Sequence, residues 1–244
     1  MRYGLVGKSL SHSFSKKYFE QKFAELGVKG ASFHNYELAS IDLLLPVVEA
    51  HPDLRGLSVT LPYKEAVMPL LHHCSEEATQ IGAVNCVHIK DGKWMGYNTD
   101  VYGFSQSLKP FLDHHHERAL ILGTGGASKA VAFALKKLGV EIYFVSREQK
   151  KTANTFLYSE INEHVMQAFK LVVNTTPLGT SPNIHECPPL PYQFFTPQHM
   201  AFDLVYNPPQ TMFLQKAAAQ GSITVNGYSM LQLQADKSWE IWNS

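Results

Sequence analysis

The sequence predicts an α/β protein in two parts, the second a parallel, doubly wound sheet, and three observations predict it. Apolar runs of strand character alternate with helical patterns along the chain. A glycine-rich turn sits between one such run and a helix near residues 119–138. A hairpin signal, Asp91-Gly92, lies in the first half, giving that half an antiparallel addition. In order, residues 2–7 read as a short buried strand, and 15–26 as a helix with Phe19, Phe23 and Leu26 on one face. Strands follow near 31–38 and 54–60, with a helix over 41–50 between them. The hairpin joins Val87-His88-Ile89 to Trp94-Met95, and residues 99–112 form a helical stretch. The polar run Asp113-His114-His115-His116-Glu117 is a candidate domain hinge. Second-half strands are expected at 118–122, 140–145, 170–174, 200–205 and 222–226, with helices between most of them. A last helix, 229–242, has no strand after it and is expected to pack back on the first domain.

At 244 residues the chain can bury a core without metal or disulfide staples. Lys and Arg total 21, as do Asp and Glu, so no global field gathers nucleic acid or anionic membrane, and a small-molecule partner is expected. Cys74, Cys86 and Cys187 are an odd number without Cys-x-x-Cys spacing, which argues against a disulfide framework and a zinc site and for a reducing compartment. The amino terminus has no long apolar stretch of signal-peptide type, and no run approaches the ~20 apolar residues of a membrane span. A cytoplasmic location is expected.

Leu120-Ile121-Leu122-Gly123-Thr124-Gly125-Gly126-Ala127-Ser128 is a strand entering a glycine-rich turn of pattern Gly-x-Gly-x-x-Ser, with the helix 129–138 behind it. The first glycine permits the turn, the second lets backbone approach a pyrophosphate, and a small third residue lets helix and strand pack closely. This is the Rossmann-type dinucleotide pattern in its confirming context. About 20 residues on, where an NAD enzyme carries an acid for the ribose hydroxyls, the chain has Ser146-Arg147. A guanidinium there can pair with a 2′-phosphate and stack on adenine, so NADP is expected over NAD.

Leu57-Ser58-Val59-Thr60-Leu61-Pro62-Tyr63-Lys64 puts a hydroxyl and an amine just beyond a buried strand, where α/β folds place ligands. Ile81-Gly82-Ala83-Val84-Asn85 and Gly96-Tyr97-Asn98-Thr99-Asp100 add amides, a hydroxyl and a carboxylate on turns, and Ser11-His12-Ser13-Phe14-Ser15 crowds hydroxyls at a helix start. Each has a structural explanation alone: a helix cap for Ser13 or Ser15, a turn former for Asn98, a solvated lysine for Lys64. Together they suit a ligand dense in hydroxyls with a carboxylate, since burying such groups needs matched partners.

The ordered set resembles the shikimate dehydrogenase family along essentially the whole chain. The blocks at Ser13–Ser15, Ser58–Lys64, Ile81–Asn85, Gly96–Gly103, the nucleotide turn, Asn174–Gly179, Asp203–Pro208 and Asn226–Ala235 match the family in order. The resemblance implies that Ser13 and Ser15 hold the substrate carboxylate, and that Thr60, Asn85 and Gln234 bind the ring. It makes Lys64 and Asp100 the catalytic pair. Tyr206 would line the substrate and nicotinamide side with Met230. Gly123, Gly125, Gly126, Ala127, Ser128, Ser146, Arg147 and Thr175 would bind the cofactor. It further implies a substrate and catalytic domain over 1–102, an NADP domain over 103–227, and a returning helix over 228–244. The implied reaction is interconversion of 3-dehydroshikimate and shikimate with NADP(H), on the route to chorismate and the aromatic amino acids, by a monomer or homodimer. Alternatives sharing these residues are a dual quinate and shikimate enzyme and a non-catalytic shikimate-binding regulatory module; the second is disfavoured because Lys64 and Asp100 are both present. Ser58 replaces the family's asparagine, Lys16 stands where proline is common, Ser146 and Glu148 flank Arg147 in place of asparagine and threonine, and Ser229 stands at a usual glycine.

His72, His73 and Cys74, with His114, His115 and His116, raise a metal site as a possibility. Adjacent residues in a polar run point in different directions, and hydride transfer needs no Lewis acid, so no metal is expected.

Overall fold

The computed structural model describes residues 1–10, 13–148 and 153–244; Ser11 and His12 of the hydroxyl-rich amino-terminal run lie outside them. The chain divides into two compact units, residues 1–99 with 235–244, and residues 100–234. The dividing line falls just before Asp100, and the part of the last helix that joins the first unit begins at Ala235.

The first unit is built on β1 (Arg2–Gly7), α1 (Phe14–Glu25), β2 (Ser32–Glu37), α2 (Leu44–Glu49), β3 (Leu54–Val59), α3 (Tyr63–Ala66), β4 (His73–Cys74), α4 (Glu76–Ile81), β5 (Cys86–Lys90) and β6 (Lys93–Tyr97). Its sheet runs β2-β1-β3-β5-β6-β4. β1 pairs parallel with β2 and β3, and the hairpin of β5 and β6 adds antiparallel to β3. Asp91 and Gly92 both take positive φ (51° and 72°), the backbone that a tight two-residue hairpin demands. The helix expected over 41–50 is instead a 3-10 turn, Ile41–Leu43, followed by α2. Pro46 is the reason: without an N–H it cannot bond the Asp42 carbonyl, so the α-ladder cannot cross that point.

The second unit contains α5 (Asp100–Leu108), β7 (Arg118–Leu122), α6 (Gly126–Lys137), β8 (Glu141–Ser146), β9 (Thr155–Leu157), α7 (Glu163–Ala168), β10 (Leu171–Asn174), β11 (Met200–Asp203), α8 (Met212–Ala218) and β12 (Ile223–Val225). The helix α9 (Tyr228–Trp242) starts here and ends in the first unit. Among the described residues all five of its strand pairings are parallel, and the order β12-β11-β10-β7-β8-β9 reverses direction between β7 and β10. That is the Rossmann order, with its switch point at the ends of β7 and β10. The sequence pattern did not reveal β9, a half-buried three-residue edge strand too short to show an alternation. The five expected strands are present.

The polar run at 113–117 is not the hinge expected of it. It lies inside the second unit, where His116 is buried, its Nδ1 3.1 Å from the Asp113 N–H and 3.0 Å from the Asp113 carboxylate. The run closes on itself as a local turn, and the N–H of His115 holds the Asp113 carboxyl below its usual range.

The carboxy-terminal segment is fixed to the first unit at several points. Asp236 accepts from Tyr18 Oη and Lys22 Nζ, both at 2.5 Å. Trp242 donates to the Val87 carbonyl at 3.0 Å and stacks on Tyr3 at 5.2 Å between centroids. Gly56 makes room for that indole, since a Cβ there would lie 2.5 Å from it.

Immediately before β11, His199 is fully buried, with Nδ1 accepting from Thr196 N–H (2.9 Å) and Nε2 donating to the Met166 carbonyl (2.9 Å). Burial lowers its pKa to about 4, helped by the positive charge of Lys170 and by nearby His116. A histidine held below its unfolded value adds stability above pH ~6.5 that is lost as pH falls toward 4, on the order of 3 kcal/mol in all. Denaturant titrations from pH 7.5 to 4.5 should show the stability difference between wild type and His199→Gln shrinking with acid; a pH-independent difference would refute this.

Candidate active site

One edge of the first sheet gathers the first unit's expected ligand residues. β1 and β3 end there, β5 begins there and β6 ends there, because β5 runs antiparallel to β3 and β6 to β5. Thr60 follows β3, its N–H bonded to the Val6 carbonyl (2.9 Å) and its own carbonyl taken by Tyr63 N–H (2.9 Å). Gly7 keeps this crossing close, since a Cβ there would lie 2.6 Å from a Leu10 methyl and 2.7 Å from the Thr60 methyl. Lys64 stands in the short helix α3, half-buried, and its carbonyl accepts from Val84 N–H at 2.7 Å. Tyr63 locks α3 in place by donating to the Leu38 carbonyl (2.5 Å).

Asn85 is 3 % exposed and its side chain grips Thr99 twice: Oδ1 accepts from Thr99 N–H (2.7 Å), and Nδ2 donates to Thr99 Oγ1 (3.0 Å). Because Thr99 N–H can only donate, the amide orientation is fixed. Asn85's backbone also links Val59 N–H (2.7 Å) to the Tyr97 carbonyl (3.1 Å). Asn98 donates to the Ala83 carbonyl (2.9 Å), which makes it a brace as well as a turn former. Ser13 caps α1, its Oγ accepting from Ser15 N–H at 3.3 Å, and both serines are partly exposed at that helix start. The structural role foreseen for Ser13 is therefore present alongside any ligand role.

Asp100 opens α5 as the first residue of the second unit and is 5 % exposed. Three residues on, Gly103 lets α9 approach: a Cβ there would lie 2.6 Å from the Met230 carbonyl and 3.0 Å from Gln234 Cβ. Gln234 is thereby placed against the helix that Asp100 begins, and Met230 is buried beside it. Gly227, whose Cβ would lie 2.1 Å from the Leu204 carbonyl, sets the close passage just before α9. Tyr206 is half-buried on the loop after β11.

At the switch point, Gly123 has φ +104° and hydrogen-bonds through its N–H to the Val145 carbonyl (3.0 Å). Thr175 lies against it, with N–H and Oγ1 both bonded to the Leu122 carbonyl (3.0 and 2.6 Å). Above Gly125 there is open space, a Cβ meeting nothing within 4 Å, and α6 begins at Gly126 with Ala127 beside it. The residues fit a pyrophosphate: backbone N–H groups at a twelve-residue helix's start, and room for the ligand to reach them. Ser128 is turned inward, its hydroxyl bonded to the Gly125 carbonyl (2.6 Å), which braces the turn. At the end of β8, Ser146 Oγ accepts from Glu148 N–H (3.2 Å), and Arg147 is exposed on the resulting turn.

Asp203, at the end of β11, is a buried carboxylate pushed up to about 6 by burial, against hydrogen bonds from Thr211, the Val205 N–H and Asn174. It braces the loops after β10 and β11. Sequence reasoning did not single out Ser238, fully buried and 3.0 Å from Thr99 Oγ1. Its signal is spacing, since Ser238 lies one helical turn beyond Gln234. The cysteines are free, no group of metal-ligating side chains is formed among the described residues, and no described helix is long and apolar enough to cross a membrane.

A family model described as the shikimate dehydrogenase substrate binding domain matches residues 5–87. The chain is 38 % identical to a shikimate dehydrogenase (NADP(+)) of Clostridium perfringens, over 99 % of this chain and 92 % of that one. It is 35 % identical to the enzyme of that name from Desulforamulus reducens, over 98 % and 88 %. Among solved structures it is similar to shikimate 5-dehydrogenase of Thermus thermophilus in complex with NADP(H) and shikimate. That match has a TM-score of 0.88 at 32 % identity, covering 99 % of this chain and 93 % of the other. The chain belongs to the shikimate dehydrogenase family.

Proposed function

We propose that the protein is an NADP-dependent shikimate dehydrogenase that interconverts 3-dehydroshikimate and shikimate, with Lys64 and Asp100 as its proton-handling pair. The observation that carries the assignment of the pair is the double hydrogen bond between Asn85 and Thr99. Lys64's carbonyl is bonded to Val84, the neighbour of Asn85, and Asp100 is the neighbour of Thr99. One short network thus reaches the backbone carbonyl of Lys64 and the residue that precedes Asp100.

NADPH, held by Gly123, Gly125, Gly126, Ala127, Thr175 and Arg147, supplies hydride when bound. The Lys64 ammonium donates to the substrate carbonyl oxygen, stabilises the negative charge that grows there, and passes it a proton. The Asp100 carboxylate accepts from the ammonium and orients it. Ser13 and Ser15 take the substrate carboxylate; Thr60, Asn85, Tyr206 and Gln234 take the ring and its hydroxyls. A cytoplasmic location and action as a monomer or homodimer complete the proposal.

Following NADP reduction at 340 nm with shikimate, and with quinate as comparison, tests the assignment. Lys64→Ala should lower kcat by about 10²-fold or more with a far smaller change in KM for shikimate. Near-normal turnover in that variant would refute the role. Arg147→Gln should raise KM for NADPH about 10- to 100-fold, the loss of a charge-assisted pair, and leave NADH almost unaffected. Equal effects on the two cofactors would refute recognition of the 2′-phosphate by Arg147.

A further inference from the structure

We propose that Ser238, on the returning carboxy-terminal helix, is a positioning residue for the catalytic centre, acting through the hydroxyl of Thr99. This rests on the function proposed above, and the hydrogen-bond geometry points to it. Thr99 Oγ1 accepts from Asn85 Nδ2 and lies 3.0 Å from Ser238 Oγ and 3.3 Å from Asn85 Oδ1. A hydroxyl has one proton to give. When Ser238 donates to Thr99 Oγ1, the Thr99 proton is left for Asn85 Oδ1, which already takes Thr99 N–H, and the Asn85 amide is held from both ends. Without Ser238, one contact on the Thr99 hydroxyl is lost in a place shielded from bulk solvent, since Thr99 is 1 % exposed and Ser238 fully buried.

The helix bearing Ser238 is not free to follow a shifted partner. Two residues before it Asp236 is bonded to Tyr18 and Lys22 on α1; four residues after it Trp242 is bonded to Val87 and stacked on Tyr3. Ser238 therefore presents its hydroxyl from a fixed frame, and what it fixes is the residue bonded to Asp100 and the amide of Asn85. Loss of that hydroxyl should act on the step and the ligand those two serve, and leave the dinucleotide site in the other unit alone.

Steady-state kinetics of Ser238→Ala, with NADP and shikimate varied in turn, tests this. The expected result is a kcat about tenfold lower, the scale of one buried hydrogen bond, with a raised KM for shikimate and an unchanged KM for NADP. Ser238→Cys, similar in shape with a poorer hydrogen-bonding group, should fall between alanine and wild type. In a Thr99→Val background, Ser238→Ala should add no further loss. An alanine variant with kcat and shikimate KM within twofold of wild type overturns the inference, whatever its melting temperature; so does a full additional loss in the Thr99→Val background. An inactive wild type overturns the function and this inference with it, whereas an active wild type with an unaffected Ser238→Ala overturns the inference alone.

Discussion

Everything proposed for the chemistry depends on the paired hydrogen bonds between Asn85 and Thr99. They join the start of β5 to the turn after β6, and through the backbone of Asn85 they reach β3 and β6 as well. Such a lock has value because catalytic groups work only when held to a fraction of an ångström, and loops alone do not hold them. Here the loops are short and their polar groups are satisfied inward. Val84 holds the turn of Lys64, Asn98 holds Ala83, and Thr60 is held by Val6. Lys64 and Asp100, the pair proposed for catalysis, lie within five residues of the ends of β3 and β6.

Glycines supply the second constraint, through space rather than flexibility. Gly103 and Gly227 let α9 lie against α5 and leave the second unit beneath the Leu204 carbonyl, and Gly56 admits the indole of Trp242 in the first. One helix thereby carries Met230 and Gln234 in one unit and Ser238 and Trp242 in the other.

Much of this was legible in the sequence because it is written locally. The glycine turn between β7 and α6, the Asp91-Gly92 hairpin and the five apolar strands of the second unit each carry their own short-range signal. The blocks around Lys64, Asn85 and Asp100 were visible as polar groups just outside strands, and they resembled one family in order. Features set by tertiary context were not legible. β9 is an edge of three residues, and α2 is shortened by a proline whose effect depends on a carbonyl four residues away. The histidine run looked like a solvated hinge, yet His116 is buried and bonded to Asp113. Ser238 is a serine in a helix until the fold brings Thr99 to it, and the bond from the Ser128 hydroxyl to the Gly125 carbonyl likewise exists only in the folded turn.

The central claim is that Lys64 and Asp100 act as one unit, and a double-mutant cycle on kcat measures that most directly. With Lys64→Met, Asp100→Asn and the double variant, the account predicts that the double variant is no slower than the slower single one, to within about threefold, as for groups that serve a single proton transfer. Effects that multiply, each substitution costing as much in the other's absence as in its presence, would contradict it.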